Sequence, residues 1–74
     1  MATLHLSLPT IITEPGEYVT RCGEIVVIEE IAARGSYQAR GYYKKEGIRE
    51  RWDTSGRVGY FVTSQSDNDI VRKA

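Results

Sequence analysis

Few residues in this 74-residue chain are of a type and spacing that could carry chemistry. Nucleophilic catalysis needs a Ser, Thr or Cys beside an activating base. The one histidine, His5, stands near the start of the chain with no partner in sequence, and the one cysteine, Cys22, has only Arg21 as a nearby cation to lower its thiol pKa. Glu29 and Glu30 are adjacent. On a strand they would point to opposite faces, which excludes a catalytic carboxylate pair. Asp67 and Asp69 have the spacing that opens a calcium loop, but the glycine and distal glutamate of such a loop are missing. One His with one Cys rules out a zinc site built from thiolates and imidazoles of this chain alone. No glycine-rich phosphate loop is present. The residues therefore point away from an enzyme, and to no metal and no cofactor.

What remains is binding. Arg40, Tyr42, Lys44, Arg49 and Arg51 fall at alternate positions of two strand-like runs joined at Glu46-Gly47. Such spacing projects all five from one side of a β-hairpin. Cations interleaved with an aromatic ring suit a phosphate backbone with a base stacked on the ring. They equally suit an acidic protein surface, since Tyr, Trp and Arg are over-represented at interface centres. The plain alternative is a solvated sheet face whose like charges discourage aggregation.

The hairpin, from Ser36 to Asp53, is the element that must position these side chains. With Glu46-Gly47 as a two-residue turn, Lys45 faces Ile48, Tyr43 faces Glu50 and Gly41 faces Trp52 on an inner side. Lys44 then faces Arg49, Tyr42 faces Arg51 and Arg40 faces Asp53 on an outer one. A three-residue loop would set Trp52 against Arg40 and mix charge into the apolar side, so the two-residue register is the expectation.

A chain this short is one domain with a small core, worth about 3 to 5 kcal/mol, and one cysteine offers no internal disulfide. Formal net charge is zero, which disfavours a generic polyanion binder and an acidic nucleic-acid mimic alike. The distribution is uneven. Residues 1–33 hold five acids against Arg21, and residues 34–57 hold seven bases against Glu46, Glu50 and Asp53. That sequence asymmetry predicts one acidic and one basic side. The first residues lack the basic start of a signal peptide and no apolar run reaches membrane-spanning length, giving the expectation of a soluble, cytoplasmic protein.

Leu4, Leu6 and Leu8 alternate strictly before Pro9, as in an edge strand that covers its own core or pairs with a second copy. Residues 1–13 read as this extended segment and residues 14–74 as a single small β domain. Glu14-Pro15-Gly16-Glu17 is turn chemistry. Glu17 to Arg21 is a first strand, Cys22-Gly23 a two-residue turn that sets Arg21 opposite Glu24, and Glu24 to Ile31 a second strand. The hairpin follows, then a turn at Thr54-Ser55-Gly56-Arg57 and a fifth strand from Val58 to Ser64. Ser66 with an acid three residues on reads as a helix cap, predicting a closing helical turn. The fold class expected is all-β: a small five-stranded antiparallel meander or SH3-like barrel with a short C-terminal helical turn.

The opening Gly16, Tyr18, Thr20, Arg21, Gly23, the central Trp52 and Gly56, and the closing Asp69, Ile70, Val71 resemble small uncharacterised accessory proteins of tailed bacteriophages and prophages. The similarity spans roughly residues 14–72 and rests on turn and core positions. It implies a phage-derived protein in the bacterial cytoplasm that acts by binding, and it carries over no catalytic residue. Three expectations follow. The first is a non-enzymatic module that modulates or inhibits a host macromolecule, such as a CRISPR-Cas or restriction nuclease complex, through the hairpin face. The second is a nucleic-acid-binding accessory protein using the same face. The third is a structural or self-assembling virion component, using Leu4, Leu6 and Leu8. None involves a membrane, and the chain is expected to be a monomer or homodimer.

Overall fold

A computed structural model describes residues 9–58 and 66–74. Its described part is all-β: β1 (Gly16–Thr20), β2 (Ile25–Ile31), β3 (Ala39–Tyr43), β4 (Arg49–Trp52) and β5 (Ile70–Lys73). They form one antiparallel sheet in the order β4-β3-β2-β1-β5. Four strands follow as a meander, and the last returns beside the first. The stripe Leu4, Leu6, Leu8 and the strand expected at Val58 to Ser64 lie, apart from Val58, outside the described residues.

Alternation explains the layers. Tyr18, Val26 and Tyr43 align across β1, β2 and β3, and Ile31, Ala39 and Trp52 across β2, β3 and β4. These side chains share the buried face with Ile12, Ile28 and Ile70. Ile12, assigned from sequence to the N-terminal extension, is a core residue. Its amide and that of Ile11 donate to the Thr54 carbonyl at 2.9 and 2.8 Å, tying the incoming chain to the turn after β4. The Trp52 ring meets Tyr43 edge to face, with centroids 5.6 Å apart, a favoured aromatic geometry. Its indole N–H donates to the Asn68 carbonyl at 2.9 Å. Together with Ile70 N–H donating to the Gly56 carbonyl at 2.8 Å, that bond links the end of β4 to the start of β5 and draws the two sheet edges together.

The registers differ from expectation at both hairpins. Between β1 and β2 the Thr20 N–H donates to the Glu24 carbonyl, so the loop is Arg21 to Gly23 and Arg21 does not face Glu24. The Thr20 hydroxyl accepts the Glu24 amide at 3.0 Å, which favours closure one residue earlier. Between β3 and β4 the Tyr43 N–H donates to Ile48 and the Gly47 N–H returns to the Tyr43 carbonyl, giving a four-residue loop from Lys44 to Gly47. Gly47 takes φ 74°, the left-handed region open to glycine. Trp52 consequently faces Ala39, Gly41 faces Glu50, Arg40 faces Arg51 and Tyr42 faces Arg49. Because the slip is of two residues, no side chain changes face.

The helical turn expected near the C-terminus is absent: no helix occurs among the described residues. The bonds of a helix cap are nevertheless present. Ser66 Oγ accepts the Asn68 amide at 3.2 Å, and the Asp69 carboxylate accepts the Ser66 amide at 2.8 Å. The chain then leaves as a strand, because β-branched Ile70 pairs with Thr20 of β1 and reaches the core there, which a single exposed turn would not allow.

Candidate functional site

The outer face of the sheet, opposite the core, carries all five residues singled out from sequence. Tyr42 lies half-buried in a row with Glu17, Val27 and Arg49, as the registers of β1 to β4 dictate. Arg40 and Arg51 form the next row with Glu30. Lys44 opens the hairpin loop at the other end. Val27 and Tyr42 thus form a partly apolar centre with charge on either side.

The bulge in β2 decides the electrostatics. Ile28 faces Gly41 and Glu30 faces Arg40, leaving Glu29 as an extra residue in the strand. A bulge breaks strict alternation, so Glu29 and Glu30 both reach cations of the outer face. The expectation that they point to opposite faces is corrected here. Glu29 pairs with Arg49 at 2.6 Å, Glu30 with Arg40 at 3.4 Å, and Glu17 with Lys44 at 3.0 Å. The acids of the first half of the chain therefore lie among the bases of the second, and the separate acidic and basic sides expected from sequence do not form here. On the same strand Gly41 is required by close approach: a Cβ there would overlap the Val27 carbonyl group.

Arg51 is the exception. It is exposed, and its guanidinium makes no ion pair or hydrogen bond among the described residues. A groove of about 670 Å³ runs beside it, lined by Arg40, Arg49, Arg51, Ser36 and Tyr37 among others. Tyr37 has φ 53°, a left-handed backbone that is rare for a bulky residue. Among the described residues two buried side-chain polar atoms lack a hydrogen-bond partner, Arg40 Nε on the outer side of β3 and the Tyr43 hydroxyl on its core side. Burial, with Glu50 and Glu24 nearby, pushes the Tyr43 hydroxyl up to about 12.

A second cluster escaped sequence reasoning. Asp69, read as a helix-cap acid, is 1% exposed. Its carboxylate accepts the Val58 and Ser66 amides at 3.0 and 2.8 Å and lies 3.4 Å from Arg57 and 3.6 Å from Arg21. It binds the β1–β2 loop, the turn after β4 and the start of β5 into one knot. The available signal was an acid just before an apolar pair, and it pointed to a helix. At the sheet's other end an exposed Glu14–Lys73 hydrogen bond holds the Glu14 carboxyl below, and the Lys73 ammonium above, their ordinary pKa values.

Among the described residues no group of three or more His, Cys, Asp or Glu side chains is placed to hold a metal, and no helix is long and apolar enough to cross a membrane. Comparison of the chain with protein-family models, with curated proteins and with solved structures finds no match.

Proposed function

We propose that this protein is a non-enzymatic binding module that recognises another protein through the outer face of β2, β3 and β4, and that it acts, as a phage-derived factor, on a host protein or complex. One observation carries the reading. Half-buried Val27 and Tyr42 are flanked by the pairs Glu17–Lys44, Glu29–Arg49 and Glu30–Arg40, so the face has an apolar centre and a rim of both signs. That is the anatomy of a protein interface. A polyanion groove would instead keep its cations uncompensated, whereas this face sets three carboxylates against Arg40, Lys44, Arg49 and Arg51. Inhibition of a defence nuclease complex would then proceed by covering a protein surface and not by imitating nucleic acid.

The test is affinity capture from lysate of a bacterial host, with and without nuclease treatment, comparing the native chain with the Arg49→Glu/Arg51→Glu double variant. The expected result is a protein retained after nuclease and lost with the variant, whose fold persists because both side chains are exposed. Loss of every partner on nuclease treatment would move the assignment to nucleic acid. Retention by the variant would remove this face.

A further inference from the structure

Within that face, and resting on the reading just given, we infer that Arg40 and Arg51 form a clamp for a carboxylate presented by an acidic segment of a partner protein. The two arginines are directly opposed across β3 and β4. The Tyr43 to Ile48 bond sets the alternation of the ladder and places Arg40 and Arg51 at a non-hydrogen-bonded position, where facing side chains stand closest. Like charges so opposed are destabilising unless an anion lies between them.

The chain supplies only part of one. Glu30 reaches Arg40 through a single terminal nitrogen at 3.4 Å, a long contact that leaves the other terminal nitrogen without an ion pair among the described residues. Arg51 has no carboxylate among the described residues: the nearest in sequence, Glu50, turns instead to the Arg51 backbone amide at 3.1 Å. Arg40, with only the long Glu30 contact, and Arg51, unpaired among the described residues, thus border one groove, with Tyr37 and Ser36 on its rim. Guanidinium groups bind carboxylates through paired, charge-assisted hydrogen bonds.

The same surroundings select the occupant. Glu29, Glu30 and Glu50 stand beside the arginines, and they would repel a strand bearing a phosphate at every nucleotide. A discrete carboxylate on a peptide can enter between them, with its apolar neighbours reaching Val27 and Tyr42.

The experiment titrates the full-length chain with a blocked peptide of alternating Asp and Leu, following arginine side-chain NMR signals, with oligo-dT of matched length in parallel. Saturable binding is expected, with Arg40 and Arg51 signals shifting. Arg51→Gln and Arg40→Gln should each weaken it about ten-fold or more, and Lys45→Gln, outside the groove, should leave it unchanged. Equal binding of oligo-dT, or equal losses for Lys45→Gln and Arg51→Gln, would overturn the clamp. Its failure is separable from that of the broader reading. A captured partner with no peptide binding removes the clamp alone, while peptide binding without any captured protein removes the proposed function and leaves the clamp.

Discussion

Two clusters of arginine and carboxylate lie in this small sheet, and they differ in what is left over. At Asp69 every group is engaged: both carboxylate oxygens accept backbone amides, and Arg57 and Arg21 close on the same side chain. On the outer face of β3 and β4 the pairs are exposed, and among the described residues the Arg51 guanidinium has no acidic partner and Arg40 holds only a long contact to Glu30. The same ion pair serves different ends in the two places. Where it is buried and saturated it holds three chain segments together, and where it is exposed and incomplete it leaves donors for a partner.

The contrast breaks most visibly at Asp69. Removing one partner of a buried, hydrogen-bonded charge cluster costs about 3 to 5 kcal/mol, and a core of this size supplies about as much in all. Asp69→Ala should therefore leave the chain largely unfolded at 25 °C. Asp69→Asn keeps an acceptor for the Val58 or Ser66 amide and should fold with reduced stability. Urea denaturation followed by Trp52 fluorescence measures both. An Asp69→Ala protein of native stability would show that the knot is incidental to closure of the sheet.

That knot was the least legible part of the sequence. Strands were readable wherever apolar residues alternate or cluster, as at Tyr18, Val26, Ile28 and Tyr43, and the outer position of Arg40, Tyr42, Lys44, Arg49 and Arg51 followed from period two alone. Register was not readable, because it depended on bonds no local pattern announces. The Thr20 hydroxyl closed the first hairpin a residue early, and the Gly47 amide reached back to Tyr43 to lengthen the second loop. The bulge at Glu29 was equally hidden, and with it the neutralisation of the basic face. At Ser66 to Asp69 the local signal was real and its bonds are made, but pairing of Ile70 beside β1 overrode the helix. Local chemistry thus specified faces, and long-range contacts specified alignment.

A middle-sized effect sharpens the contrast on the hairpin side. The Tyr43 hydroxyl is buried without a partner among the described residues, and burial followed by Glu50 and Glu24 raises it from 10 to about 12. Between those values the unfolded chain has released the phenolic proton while the folded chain retains it, so native stability must fall as pH rises through this window. Tyr43→Phe should abolish that decline while being close to neutral, or slightly stabilising, at pH 7, since it removes a polar group that has no bond to lose. Chemical denaturation at pH 7, 9.5 and 11 distinguishes the outcomes. A cost of several kcal/mol at pH 7 would mean that the hydroxyl is bonded after all, and that the hairpin is as saturated as the Asp69 knot.

The smallest effect belongs to the exposed pairs themselves. Glu29 and Arg49 keep close to half or more of their side-chain surface in solvent, and such pairs contribute about 0.2 to 1 kcal/mol, less in salt. Glu29→Gln should therefore change stability by no more than about 0.5 kcal/mol, and the double variant Glu29→Gln/Arg49→Gln should show little coupling beyond the single changes. The informative readout is the partner, because freeing Arg49 leaves the face more basic without altering its shape. If recognition rests on an acidic protein segment, Glu29→Gln should tighten capture as strongly at low salt as Arg51→Gln weakens it. A large loss of stability in Glu29→Gln would place this pair with Asp69, as scaffold, and erase the distinction between the two clusters.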